Sequence, residues 1–228
     1  MIEELLALLG YGLCHQLPER TLSGGGTALP VCARDAGIYI GFTLALVAIR
    51  LADGRRRSSE PPAALGIAVL GTLILVMVVD GVSSYAGWRT TTNELRLLTG
   101  LMAGFGIAGF TVPMLNGQRW QRPGTTRLLG DPLRLSVFLL GIPVAYALTY
   151  WGGPLLGLLY PVLTGVAILL TFTVVNAVIV ALMPPFERKA RRLVDGWPVW
   201  IIGFVLALGE IAFSAWLKGW AERLAGLA

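Results

Sequence analysis

Residues 152–183, GGPLLGLLYPVLTGVAILLTFTVVNAVIVALM, carry no charged side chain. An α-helix rises about 1.5 Å per residue, so about 20 apolar residues cross a hydrocarbon layer of about 30 Å. This run is apolar enough for a bilayer and too long for one straight crossing. Two readings stay open: Pro161 kinks one long helix, or the glycine- and proline-rich start is a turn or a re-entrant piece packed inside a bundle. On either reading the stretch is a membrane element, and that decides the fold class.

The rest of the chain agrees. Its 228 residues are 55% hydrophobic and only 14% charged, with mean hydropathy +0.72, whereas a soluble domain carries roughly 25% charge. Apolar runs recur at about 36–52, 62–82, 95–115, 133–151, 155–183 and 197–218, with a shorter one at 2–16. They are continuous rather than alternating, which argues against a β-barrel. The expectation is an all-α, polytopic transmembrane bundle of about six long spans plus a short N-terminal helix, one integral membrane domain over 1–228. The opening MIEELLALLGYGLC has Glu3 and Glu4 where a signal peptide carries basic residues. It also lacks a small-residue cleavage or lipidation site before Cys14, so it reads as a retained helix.

Basic residues fix the orientation. RLADGRRR (50–57), GQRWQRPGTTRLLGDPLR (117–134) and PFERKARR (185–192) each hold four Lys or Arg, twelve of the eighteen in the chain. The remainder are Arg20, Arg34, Arg89, Arg96, Lys218 and Arg223. Every second connection is therefore basic, as the positive-inside rule requires if those three loops are cytoplasmic. On this reading the N-terminus is cytoplasmic, the C-terminus extracytoplasmic, and the loop 14–36 extracytoplasmic together with Asp80, Asn93 and Arg96. The net charge of +5 reports topology, and no nucleic-acid partner is expected; the bilayer is the partner.

That outer loop concentrates the scarce chemistry of the chain. It holds both cysteines, Cys14 and Cys32, and the single histidine, His15. Two thiolates and an imidazole suit zinc or another transition metal, with Asp35 as a fourth ligand. The alternative is a Cys14–Cys32 disulfide closing the loop, or independent thiols. Arg20, Arg34, Arg89 and Arg96 share the same face with Glu19, Asp35, Asp80 and Glu94, and read either as ion pairs locking the outer end or as an anion site. In the anion reading Arg20, Arg34, Asn93 and Arg96 bind substrate, and Asp80 with His15 serves as acid or base. Within the membrane, Asn176 and Glu210 are the polar residues of the last two runs; an ionisable group there is expected to face the bundle interior, paired or lining a path.

Other features are blander. Gly100, Gly104, Gly106 and Gly109 suit a close helix–helix seam, and Trp88, Trp120, Trp151 and Trp197 sit near span ends as interfacial anchors. SGGGT at 23–27 reads as a flexible turn rather than a phosphate loop, and no Walker, GxSxG, HExxH or CxxC motif occurs.

CHQLPERT at 14–21 followed by VCARDAGIYIGF at 31–42 resembles the signature of the domain-of-unknown-function 2085 family of predicted prokaryotic membrane proteins, and Asp80-Gly81 and NELRLLTG at 93–100 are similar to further motifs of that family. The resemblance covers roughly the first half of the chain and implies the plasma membrane of a prokaryote. Some members carry a cysteine where Asp35 stands, which implies a metal site with Asp35 as a replacement ligand. No activity comes with it. Three functions therefore remain: a metal-dependent enzyme acting on an anionic, phosphorylated or lipid substrate; a transporter of a metal ion or small anion along Glu210, Asn176 and Asp80; or an accessory subunit with a disulfide-closed outer loop.

Overall fold

The computed structural model describes residues 2–54, 56–192 and 194–226; Arg55 of the first basic loop lies outside them. The long apolar run resolves into two helices. Gly152–Leu155 ends a helix that begins at Pro132, Leu156–Leu158 form a tight turn with Gly157 at φ +57°, and a new helix starts at Leu159. Only glycine adopts that φ without strain, so Gly157 marks the reversal. Pro161 falls in the first turn of the second helix, where its missing N–H costs nothing, and it kinks no long helix.

In chain order the helices are α1 (Ile2–Tyr11), α2 (Ala33–Asp53), α3 (Ala64–Tyr85), α4 (Asn93–Arg119), α5 (Pro132–Leu155, widening to a π turn at Leu148–Gly152), α6 (Leu159–Ala181) and α7 (Trp197–Leu224). Six of them, α2 to α7, are long and apolar enough to cross a membrane. Their ends follow local chemistry. Thr92 caps α4 by accepting the Leu95 N–H, and Asp131 caps α5 by accepting the Arg134 N–H ahead of Pro132.

The centre of the bundle is α2 against α4. A Cβ on Gly100 would stand 2.1 Å from the Arg34 carbonyl oxygen, and one on Gly104 would stand 2.3 Å from that of Ile38. Gly37 and Gly41 meet Leu97 and Leu101 just as closely. Two glycine pairs, each spaced by four, thus bring the two backbones into contact. Gly106 and Gly109 face the other way and receive Leu70 and Ile74 of α3. Phe42, Phe105, Phe138, Leu70 and Leu101 fill the layer below with no exposed surface, and the Phe105 and Phe138 rings lie 5.1 Å apart.

Two expectations are corrected at the Cys14 end. With ten residues, α1 reaches about 15 Å, half a hydrocarbon core. The Thr27 hydroxyl donates to Glu3 at its start, while Gly12 just past its end abuts Ser214 and Ala215 of α7. The N-terminal helix therefore begins and ends at the end of the bundle that holds the 14–36 loop, rather than entering from the opposite side. The SGGGT segment is an ordered hairpin: β1 (Ser23–Gly24) pairs antiparallel with β2 (Thr27–Ala28) around Gly25 and Gly26, both at positive φ. Such a two-residue turn selects glycine, and the hairpin seats on the Gly157 turn and Tyr160. At the other end, β3 (Ser58–Glu60) and β4 (Gly124–Arg127) pair in parallel and tie two basic loops together.

Candidate functional site

The chain turns out of α1 through N–H bonds from Leu13 and Cys14 to the Gly10 carbonyl. Gln16 (φ +52°) then sends its amide to the carbonyls of Ala7 and Pro30, at 2.9 and 2.8 Å, folding the loop back on the helix. From the far end of the sequence, Lys218 donates to the Tyr11 and Cys14 carbonyls at 2.9 and 3.1 Å, and Ser214 donates to that of Gly12. Cys14 is thereby held from two sides. It faces Cys32, the residue that caps the N-terminus of α2.

The Cys32 backbone N–H donates to Cys14 Sγ at 3.3 Å, and Cys32 Sγ lies 3.3 Å from Asp35 Oδ2 one turn into α2. The ligand atoms of Cys14, Cys32 and Asp35 all fall within 4.8 Å of one another, and the sulfurs are not bonded to each other. The hydrogen bond from the Cys32 thiol, helped by backbone N–H groups of Gln16 and Cys32, lowers Cys14 to about 7 against the pull of burial. Cys32 is pushed the other way, chiefly by its hydrogen bond to the Cys14 sulfur, then by burial and by the Asp35 charge. Cys14 is accordingly the more acidic thiol of the pair.

This donor set fits zinc. Bonds of about 2.3 Å to sulfur and 2.0–2.2 Å to oxygen place tetrahedral ligands roughly 3.5–3.8 Å apart, close to the spacing already present. Three protein donors leave the fourth position open. His15 does not take it: the imidazole is exposed and stands outside the cluster. It lines, beside Cys14, a mainly apolar depression formed with Leu13, Leu217, Lys218 and Glu222. The expected four-ligand set is thus corrected to three, because the turn out of α1 points Cys14 inward and its neighbour outward.

Asp80 is the hub of a second cluster. Its Oδ2 accepts from Arg34 Nη2 at 2.6 Å, Arg34 Nε at 3.2 Å and Thr99 at 3.2 Å, and its Oδ1 from Arg89 and, at 3.3 Å, Thr91. The carboxylate is 1% exposed. These contacts join α2, α3, α4 and the α3–α4 loop, so the ion-pair lock describes Arg34 and Asp80. Asp80 has no free face for acid–base work, and Arg34 has no free fork for a substrate.

The arginines that do face an opening are Arg20, Arg89 and Arg96. With Glu19, Ser84, Thr90 and Thr91 they line a cleft at the same end of the bundle. Arg96 is buried; its Nε donates to the Thr91 carbonyl and its Nη2 reaches the Ser84 hydroxyl, and no carboxylate lies within ion-pair distance of it among the described residues. Asn93 braces the rim by donating to the Glu19 carbonyl. The expected anion residues thus divide: Arg20 and Arg96 line the cleft, Asn93 supports it, Arg34 stands behind it. Arg89, seen in the sequence only as one of four outer arginines, both lines the cleft and grips Asp80.

Glu210 departs from expectation. It accepts from the Asn176 amide at 2.8 Å, but while Asn176 is buried, Glu210 lies exposed on the outward side of α7. The pair ties α6 to α7, with its carboxylate on the outward side. Sequence reading also missed Lys218 and Ser214, whose only signal was a Lys near the end of the last apolar run.

The fold and this end-on polar cluster define a polytopic helical membrane protein whose first helices carry its cysteine chemistry. The chain belongs to the DUF2085 family, described as predicted membrane proteins, whose model matches residues 14–110. That segment runs from Cys14 into α4 and contains both the thiol cluster and the Asp80 lock. An uncharacterized protein of Methanothermobacter thermautotrophicus is 40% identical over 102 residues, covering 43% of this chain and 84% of that one. The uncharacterized protein MJ1492 of Methanocaldococcus jannaschii is 32% identical over 105 residues, 45% of this chain and 63% of its own. No solved structure matches the chain.

Proposed function

We propose that this integral membrane protein is a metal-dependent enzyme working at the extracytoplasmic surface of a prokaryotic plasma membrane on an anionic, phosphorylated or lipid-borne substrate. The observation that carries the reading is the Cys14–Cys32–Asp35 cluster, three donors within 4.8 Å, at the same end of the bundle as a cleft lined by Arg20, Arg89 and Arg96. Cys14, Cys32 and Asp35 would hold zinc or a similar ion; such an ion supplies Lewis-acid polarisation or an activated water. His15, beside Cys14 in the apolar depression, would be the group that moves a proton there. The apolar flank of Leu13 and Leu217 suits a substrate arriving from the outer leaflet, and the arginines suit its phosphate.

Metal content measured across variants tests the reading. About one equivalent of transition metal per chain is expected in the purified protein, falling severalfold in Cys14→Ser and Cys32→Ser and unchanged in His15→Ala. Metal-free protein with a Cys14–Cys32 disulfide would instead favour the accessory role. Transport along Glu210 and Asn176 draws no support from a carboxylate on the outside of α7.

A further inference from the structure

The opposite end of the bundle holds a second basic cleft, lined by Arg57, Gln121, Arg122, Ala190 and Arg191. Each guanidinium comes from a different connection: Arg57 from α2–α3, Arg122 from α4–α5, Arg191 from α6–α7. The positive-inside rule accounts for basic residues in these loops. It does not account for their meeting around one opening.

The meeting is built. Trp120 and Ala190 form a parallel bridge, with Gln121 N–H donating to the Ala190 carbonyl and Ala190 N–H to that of Arg119. The β3–β4 pair brings Arg57 alongside, and its guanidinium lies 3.8 Å over the buried Trp120 ring. Arg191 Nε is fixed by the Gln121 side-chain oxygen at 2.7 Å. Asp195 uses Oδ2 on the backbone N–H groups of Arg191 and Arg192. Among the described residues no carboxylate comes within ion-pair distance of Arg57, Arg122 or Arg191. Three exposed guanidiniums line one opening of about 680 Å³, within the range of small-ligand sites.

We propose that this cleft is a binding site for a phosphate-bearing anion at the membrane interface, with Arg57, Arg122 and Arg191 as its forks and Gln121 as an orienting group. Planar guanidiniums match phosphate oxygens bidentately, and anionic headgroups are concentrated at the level where these loops lie. A phospholipid headgroup and a soluble phosphate compound share this chemistry.

The test uses the full chain, delipidated in uncharged detergent. Phosphatidylglycerol, phosphatidylcholine of the same acyl chains and inorganic pyrophosphate are titrated, lipid occupancy being read by native mass spectrometry and pyrophosphate by calorimetry. Phosphatidylglycerol is expected to bind more tightly than phosphatidylcholine, with R57Q/R122Q/R191Q weakening it about tenfold and R50Q/R127Q/R188Q, the same charge lost at the same end, weakening it about twofold or less. Pyrophosphate binding that competes with the lipid assigns the site to soluble phosphates; lipid binding that pyrophosphate leaves untouched assigns it to the headgroup. Equal weakening in the two triple variants, or no preference for any phosphate-bearing anion, overturns the proposal. Should the triple variant fail to fold, R122Q alone carries the same comparison against R50Q, because the Arg122 side chain makes no hydrogen bond within the described residues.

Discussion

Asp80 has two arginines and two threonines around a carboxylate that is 1% exposed. Removing its charge leaves Arg34 buried beside a neutral amide, and an uncompensated buried charge costs about 3–5 kcal/mol. Asp80→Asn should therefore unfold at markedly lower temperature in detergent, and adding Arg34→Gln should recover part of the loss, a non-additivity that a double-mutant cycle reads directly. The cysteines are asymmetric in another way. In metal-free protein Cys14, lowered to about 7, gains thiolate as pH rises through that value, whereas an ordinary thiol needs pH about 8.5. Alkylation by iodoacetamide should then have its midpoint near 7 at Cys14 and leave Cys32 largely unmodified, which peptide mapping resolves. Equal labelling of both cysteines with a midpoint above 8 would contradict the arrangement.

At the level of elements, the α2–α4 seam sets the stability. A methyl group at Gly100 would stand 2.1 Å from the Arg34 carbonyl oxygen, so Gly100→Ala must push the helices apart; overpacking of this kind costs about 1–3 kcal/mol. Gly71, whose added Cβ meets nothing within 4 Å, supplies the control: Gly71→Ala should leave the melting temperature unchanged or slightly raised. The glycines of α4 were readable as a seam because their spacing repeats along one helix. Their partners Gly37 and Gly41 were not, since nothing in a single chain says which two glycine stripes meet. The 152–183 run was ambiguous for a related reason: a Gly157 turn between two helices and a proline kink inside one leave the same apolar pattern. Nor does SGGGT announce the Gly25-Gly26 hairpin, because two glycines permit a turn without naming its strands.

Across the whole molecule, alternation of basic loops made the spans and the gathering of polar residues at one end legible, since bilayer thickness and charge asymmetry act over whole segments. Local geometry was less so. Adjacency in the chain groups His15 with Cys14, but the turn out of α1 separates them; Lys218 lies 204 positions from the Cys14 carbonyl it grips, a distance no motif spans. Placement of α1 has a consequence for topology. With six crossings and α1 confined to the Cys14 end, tags fused before α1 and after α7 should be digested together by protease added to intact cells, and protection of the N-terminal tag alone would contradict that placement. The central claim, a metal held by Cys14, Cys32 and Asp35, meets its most direct test in elemental analysis of the purified protein combined with a free-thiol count before and after chelation. The account predicts about one equivalent of zinc or a similar metal, with both thiols silent until the metal is removed and then both reactive in denaturant; metal-free protein, whether its two cysteines are joined as a disulfide or freely titratable from the start, would contradict it.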